Sequence, residues 1–283
     1  MDVIQHSNAY TSNLRVRDFL RRNEALHHRM LSSCYSLLQK PERFEAETAL
    51  ITLESDAALV GVGMLLPGRA LSMTSLTSLE GVTRLAEYLN QRYGSLSRLN
   101  APTEVAEHFV QVWQSLSGQS AYLGMTVCAY QLETIRPFIW AQGHLEPATE
   151  KDLALVSQWF TAFGLEALGD SATDSDAWAK GQIERGNAFL WHDGQPVAMG
   201  CRIGQTEHGF RLSIIYTPPE HRQRGYGKTC TAALTQRLLE DGQPRCCLYA
   251  DKANGVTNRM YEGIGYTLSG ESKTYHFEPL TAN

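Results

Sequence analysis

The sequence has no long apolar segment and no leader-like N-terminus. No apolar run approaches the roughly 20 residues that a membrane-spanning helix needs. The first ten residues, MDVIQHSNAY, do not place a basic stretch before an apolar run, as a secretory signal does. From these two absences we expect a cytoplasmic protein without membrane contacts.

Patterns typical of metal sites and disulfides are also missing. The six cysteines are scattered without a Cys-x-x-Cys pair, and the nine histidines show no metal-ligand spacing. The adjacent residues Cys246 and Cys247 would point to opposite faces of a strand, so they are poorly placed to share a metal ion. We expect reduced thiols, as in cytosolic proteins, and no metal cofactor.

Runs of like charge, which mark nucleic-acid and membrane-surface partners, are absent as well. The net charge is only −5, so we expect no nucleic-acid partner. The length of 283 residues exceeds the usual size of one domain and favours two.

The stretch from Leu212 to Glu240 carries the most recognisable chemistry. It begins with the apolar run Ile214-Ile215-Tyr216, continues through a loop with two arginines and two glycines, and ends in a predicted helix. The helix is predicted because apolar residues recur at helical spacing and would form one face of it, namely Tyr226, Cys230, Ala233, Leu234 and Leu238. The first N–H groups of a helix have no internal partner, and its dipole is positive at that end. The sequence therefore predicts an anion site at the start of this helix.

Three kinds of phosphate-binding loop compete for this stretch. A P-loop would use Gly227-Lys228-Thr229, but its first glycine position is occupied by Arg222. A dinucleotide-binding loop would need a small residue where Cys230 stands. The third pattern, Gln/Arg-x-x-Gly-x-Gly/Ala, is matched at every fixed position by Arg222–Gly227. That pattern is the acetyl-CoA pyrophosphate loop of the GCN5-related N-acetyltransferases (GNAT), which this region resembles.

A second resemblance to the GNAT family follows in the C-terminal run LYADKANGVTNRMYEGIGYTLSG. In the family, a strand is followed by Asn, a short helix and then Tyr-x-x-x-Gly-Tyr/Phe. The matching residues are Asn254, Asn258, Tyr261, Gly265 and Tyr266. The two signatures together cover roughly residues 209 to 270, and their order and spacing are more specific than either alone.

The resemblance implies an acetyl-CoA-dependent N-acetyltransferase in which an amine attacks the thioester directly. It implies that Tyr261 is the catalytic acid that protonates the leaving sulfur. The backbone of a splayed third strand would meet the pantetheine amides, and two asparagines would contact the same arm or its surroundings. The predicted acetyl-CoA-binding residues are Ile214, Ile215, Tyr216, Arg222, Gln223, Arg224, Gly225, Tyr226, Gly227, Lys228, Asn254 and Asn258.

The acceptor is less defined than the donor. We expect a primary amine on a small molecule or a peptide, which in this family lies near the first two helices of the domain. Candidates for the general base are the acidic residues Glu166, Asp170, Asp174 and Asp176, and an acidic loop favours a cationic amine. Two other hypotheses stay open: a CoA-binding sensor without turnover, and a nucleotide hydrolase that uses Gly227-Lys228-Thr229. The sequence indicates no oligomeric state.

The order of predicted elements favours an α/β (α+β) fold with a mixed, mostly antiparallel sheet flanked by helices. The first half predicts helices at 12–40, 79–93 and from 102, and strands at 49–53, 58–65, 70–76, 97–100 and 122–132. The second half predicts a strand at 144–146, helices around 153–167 and up to 185, a hairpin at 188–203 across Asp193-Gly194, a strand at 209–216, a strand at 246–250, a helix at 255–263, and strands near Tyr266 and Tyr275.

The two halves share this order of elements, so we predict two similar domains. Residues 1–133 would form a degenerate GNAT-like domain, and residues 134–283 the acetyltransferase domain. The first half lacks a phosphate loop, because residues 74–81, TSLTSLEG, contain neither arginine nor Gly-x-Gly. We therefore expect a single CoA site, in the second half.

Overall fold

A computed structural model describes residues 1–6, 9–39, 48–76, 78–169 and 174–280. The chain divides into two compact units. The first unit comprises Met1–Tyr130, Ala250–Asn254 and Leu268–Asn283, and the second comprises Gln131–Tyr249 and Gly255–Thr267. Two segments of the first unit thus lie beyond the sequence boundary predicted at residues 133 and 134.

The elements follow one another in nearly the predicted order. The first ten are β1 (Asp2–His6), α1 (Ala9–Arg21), α2 (Glu24–Gln39), β2 (Ala49–Ser55), β3 (Ala58–Leu66), β4 (Ala70–Met73), α3 (Leu79–Tyr93), β5 (Arg98–Pro102), α4 (Thr103–Ser117) and β6 (Ala121–Leu132). The others are β7 (His144–Pro147), α5 (Leu153–Leu168), α6 (Ser175–Glu184), β8 (Ala188–His192), β9 (Pro196–Thr206), β10 (Gly209–Tyr216), α7 (Tyr226–Glu240), β11 (Cys246–Asp251), α8 (Gly255–Ile264) and β12 (Thr267–Phe277).

The sheet of the first unit has the strand order β1-β2-β3-β4-β5-β12-β6. The meander β1 to β4 is antiparallel, whereas β4 and β5 are parallel. Alternate residues of β2 face two different apolar clusters: Ile51 packs with Leu85 and Trp113 of α3 and α4, whereas Leu50 packs with Leu20 of α1. Helices therefore cover both faces of this sheet.

The second unit repeats this plan. Its strand order is β7-β8-β9-β10-β11, with antiparallel pairs except for the parallel pair β10–β11. Leu190 packs with Val156 of α5, whereas the next residue, Trp191, packs with Tyr226 and Cys230 of α7. The predicted α/β class, with a mostly antiparallel sheet between helices, is confirmed.

Two local predictions were wrong. The single helix expected at 12–40 is two helices, because the chain turns at Arg22 and Asn23, and the Asn23 side chain accepts a hydrogen bond from the Leu26 N–H (3.3 Å). The strands expected near Tyr266 and Tyr275 form one strand, β12, which pairs with β5 from Ser272 to His276.

A candidate acyl-CoA site at the end of β10

The end of β10 leaves the regular pattern of the sheet on both sides. Its parallel ladder with β11 comprises Arg211 and Leu212, and its register against β9 shifts between Ser213 and Tyr216. Ile214 has a φ of 53°, which is rare for a β-branched residue. Such a bulge turns backbone N–H and C=O groups away from the ladder, so that an extended polar ligand can pair with them.

The loop after β10 leads into an exposed helix N-terminus. Gln223 (φ 62°) and Gly225 (φ 81°) both have left-handed backbone conformations. Gly225 is the N-cap of α7 and makes no side-chain capping bond, so no side chain competes for the first helical N–H groups. Left-handed residues next to such N–H groups form a concave surface that suits an anion.

Glycine is needed at position 227 for close packing, not for an unusual backbone conformation. A Cβ atom at this position would lie 3.0 Å from the Thr217 Oγ1 and 3.9 Å from the Met260 sulfur. The glycine thus lets the first turn of α7 approach the residue that follows β10. The two glycines of the motif therefore have different tasks, conformational at Gly225 and steric at Gly227.

Arg222 is held at the base of the loop by an ion pair. Its Nη2 lies 2.9 and 2.7 Å from the two carboxylate oxygens of Glu166 on α5, and its Nε donates to the Thr217 carbonyl (2.9 Å). Its guanidinium also lies 5.8 Å from the centre of the Tyr216 ring. The predicted phosphate-binding arginine and one of the predicted bases are therefore paired with each other.

Tyr261 lies on α8 with a buried side chain that is 7% exposed. Burial raises the pKa of its hydroxyl above the ordinary value of 10, so the group holds its proton at neutral pH. Its ring packs edge-on against Tyr266 at 6.1 Å between centroids, and the Tyr266 hydroxyl is bound to Thr235 Oγ1 (2.6 Å). Tyr266 therefore has a structural role in the second unit.

The two asparagines of the motif belong to different units. Asn258 lies on α8 in the second unit, whereas Asn254 lies in the turn Ala250–Asn254 of the first unit. The Asn254 N–H donates to the Asp251 carbonyl (3.1 Å), which helps to close the turn after β11. Their roles toward a ligand stay predictions from the resemblance.

Comparison with known proteins places this geometry in a fold family. Residues 193–276 match the family model "FR47-like protein", a range that includes both signatures. An acetyltransferase of the GNAT family from Colwellia psychrerythraea has a TM-score of 0.60 at 14% identity, over 98% of this chain and 100% of its own. A tandem GNAT protein from the clavulanic acid biosynthesis pathway has a TM-score of 0.55 at 14% identity, over the full length of both chains.

A Drosophila protein reaches a TM-score of 0.70 at 11% identity over 98% of each chain. The chain has the GNAT fold. Identities this low show the fold alone, and no curated protein matches the chain. The predicted resemblance to the GNAT family is thus confirmed at the level of the fold, and the FR47-like match adds a sequence likeness over residues 193–276.

Two of the predicted base candidates of this GNAT-fold chain already serve its structure. Asp174 caps α6 by accepting from the Ala177 N–H (3.2 Å), and Asp176 accepts a short hydrogen bond from the Ser157 hydroxyl. Asp170 lies outside the described residues. Glu166, which also accepts a long hydrogen bond from the Tyr216 hydroxyl (3.4 Å), is the candidate that lies beside the loop.

The surroundings of Thr229 and Lys228 do not fit the alternative hypothesis of a P-loop. Thr229 is 1% exposed, and its hydroxyl accepts from the Ala141 N–H (3.0 Å), whereas a P-loop hydroxyl would face a magnesium ion. The Lys228 Nζ lies 4.5 Å from the centre of the Phe138 ring. Both side chains are therefore directed toward the segment around residue 140.

That segment was not predicted as part of the site. Its run Pro137-Phe138-Ile139-Trp140 carries three large apolar side chains outside any helix or strand, which is the signal that would have revealed it. Over the described ranges, we find no cluster of three or more His, Cys, Asp or Glu that could hold a metal ion. None of the helices described is both long and apolar enough to cross a bilayer.

Proposed function

We propose that the second unit is an acetyl-CoA-dependent N-acetyltransferase domain that acetylates a primary amine. The observation that carries this proposal is the meeting of two features at Tyr216. Just before Tyr216, residues Ile214 and Ile215 lie in the register shift of β10 against β9, and the N-terminus of α7, without a side-chain cap, begins ten residues after Tyr216. Acetyl-CoA carries both kinds of partner in one molecule, namely amides beside its thioester for the strand backbone and a diphosphate for the helix N-terminus.

The residues present suit the diphosphate of CoA. The loop from Arg222 to Gly227 combines backbone N–H groups, a helix dipole and two arginines. Arg224 is exposed, and Gly225 leaves open space above the first turn, where a Cβ atom would meet only the Ala141 Cβ at 3.9 Å. The amides of the pantetheine arm would pair with the backbone of Ile214 to Tyr216.

The reaction needs few groups from the protein. When bound, acetyl-CoA supplies the activated acyl group. A backbone N–H of the β10 bulge donates to the carbonyl oxygen, where negative charge develops. Tyr261 is protonated at neutral pH, because burial raises its pKa, and by its resemblance to the family's motif it is the residue that donates a proton to the departing sulfur. Glu166 lies at the same end of β10 and, once separated from Arg222, accepts the proton that the amine loses.

The first unit is proposed to have no CoA site of its own. In the first unit, the helix that corresponds to α7 is α3. It follows β4, which pairs in parallel with β5, just as α7 follows β10, which pairs in parallel with β11. The N-terminus of α3 is capped by the Ser78 side chain, which accepts from the Glu80 N–H (3.2 Å). The Glu80 carboxylate also occupies the first turn, where it would repel a phosphate. These features support the interpretation of residues 1–133 as a degenerate domain.

The test is the release of free CoA thiol from acetyl-CoA in the presence of a panel of primary amines, small molecules as well as peptides. A thiol reagent suits this assay, because the side chains of all six cysteines of the protein are buried. We expect amine-dependent thiol release and tight binding of CoA in calorimetry. Binding of CoA without turnover of any amine would favour the sensor hypothesis, and failure to bind CoA would refute both.

A further inference from the structure

An aromatic segment crosses the second unit beside the first turn of α7. At one end, the Arg136 N–H donates to the carbonyl of Ile264 at the end of α8 (2.8 Å). At the other end, the Ala141 N–H donates to Thr229 Oγ1 on α7 (3.0 Å). We call residues 136–141 the strap. Because both ends are fixed to helices, the side chains between them have defined positions.

The strap presents a stacked aromatic pair to solvent. The rings of Phe138 and Trp140 lie 5.0 Å apart with an angle of 18° between their planes. Trp140 is 41% exposed, and Ile139 between them is 97% exposed. Large apolar side chains held in the open in this way indicate a binding surface, since they gain nothing from the protein's own core.

A cation lies on the strap next to the anion site. The Lys228 ammonium is 4.5 Å from the centre of the Phe138 ring, and Lys228 is the third residue of α7. The strap residue Ala141 also lies within reach of Gly225, the N-cap of the same helix. The aromatic pair, the ammonium and the helix N-terminus therefore share one corner of the unit. This combination suits a flat heterocycle joined to phosphate better than an apolar protein partner.

We propose that the strap binds the adenine ring of CoA, with Trp140 as the stacking surface. The inference rests on the proposed function, because it takes the diphosphate to lie on the N-terminus of α7. From there the pantetheine arm runs back along β10, so the nucleoside has to leave on the opposite side, where the strap lies. Stacking on an aromatic side chain needs no particular hydrogen-bonding pattern of the base. Lys228 holds the Phe138 ring in place and adds positive charge beside the nucleotide phosphates.

The test compares CoA with 4′-phosphopantetheine, which lacks the nucleotide, by calorimetry on the whole protein. We expect Trp140→Ala to weaken binding of CoA by about tenfold, a typical effect of losing one base stack. Binding of 4′-phosphopantetheine should not change. Trp140→Phe should keep most of the CoA affinity, because it retains an aromatic face.

The matched control is Ile139→Ala, which removes an apolar side chain from the same strap without removing an aromatic ring. We expect it to bind both ligands like the unaltered protein. The inference is wrong if Trp140→Ala binds CoA normally, if it loses affinity for both ligands alike, or if Ile139→Ala weakens CoA binding as much. In each of these cases the unaltered protein still binds CoA, and the proposed function stands. If the unaltered protein does not bind CoA, both fail.

Discussion

Gly225 and Gly242 flank the two ends of α7, and they offer a matched test of the phosphate loop. Gly225 is the N-cap with a φ of 81°, and Gly242 follows the C-terminus with a φ of 94°. A Cβ atom at Gly242 would meet no atom within 4 Å, and one at Gly225 would meet only the Ala141 Cβ. Replacement by alanine therefore imposes a similar backbone strain at both positions without a steric clash in the protein.

The magnitude for stability follows from the backbone conformation. A left-handed conformation costs a non-glycine residue about 1–2 kcal/mol. Alanine also restricts the unfolded chain, which offsets roughly 0.4–1 kcal/mol of that loss. We expect Gly225→Ala and Gly242→Ala each to lower the free energy of unfolding by about 1 kcal/mol. Urea denaturation followed by tryptophan fluorescence would measure this loss.

The two variants should differ in ligand binding. A methyl group at Gly225 would occupy the open space through which a phosphate oxygen approaches the first N–H groups of α7. Losing one such charge-assisted hydrogen bond costs about 1.5–3 kcal/mol, which is on the order of tenfold to a hundredfold in the dissociation constant of CoA. Gly242→Ala should bind CoA normally in calorimetry. Equal affinities in the two variants, whether both normal or both weakened, would refute the assignment of this loop.

Three further predictions concern catalysis, the ion pair and pH. Tyr261→Phe should lower kcat in steady-state assays by about 10²–10⁴-fold without changing CoA affinity. Its control, Tyr266→Phe, should lose about 1 kcal/mol of stability and keep kcat. Normal turnover by Tyr261→Phe would contradict the assignment of Tyr261 as the acid. Glu166→Gln should release Arg222 and tighten CoA binding about two- to fivefold at low salt, with a smaller gain at high salt. The effect is small because the Arg222–Glu166 ion pair is half exposed and therefore weak. Weaker CoA binding by this variant would contradict the prediction. Unfolding should become easier as the pH rises above about 9. The folded-state pKa of buried thiols exceeds the ordinary value, so the stability that they contribute is complete below pH 9 and is lost between pH 9 and 12. Equal denaturation midpoints at pH 8 and pH 11 would contradict this prediction. The thiols with a pKa raised to about 12 are those of Cys34, Cys230 and Cys246.

Local patterns in the sequence predicted the elements that depend on near neighbours. The hairpin across Asp193-Gly194 was predicted by its turn residues, and it is present as β8 and β9. The capping box of Thr149 and Asp152, just before α5, is equally local, and both of its hydrogen bonds are formed. These features depend on residues two to four positions apart, so their chemistry is visible in the order of residues alone.

Contacts between distant segments were not visible in this way. The partner of Arg222 is Glu166, 56 residues earlier, and the sequence offered four acidic candidates without a reason to choose. The left-handed conformations of Ile214 and Gln223 oppose the intrinsic preference of both residues, so no propensity argument predicts them. They depend instead on how β10 is held by its neighbours and how its end meets α7.

The sequence by itself determined that this protein has one arginine-glycine loop before a helix and a tyrosine motif after the following strand. The reason is that glycine, helical spacing and turn residues act over a few positions. Tertiary structure alone decided that β12 joins β5 in the first unit, that Arg222 is paired with Glu166, and that the strap with Trp140 lies beside α7. Each of these depends on packing between segments far apart in the chain, where many pairings are compatible with the same local pattern.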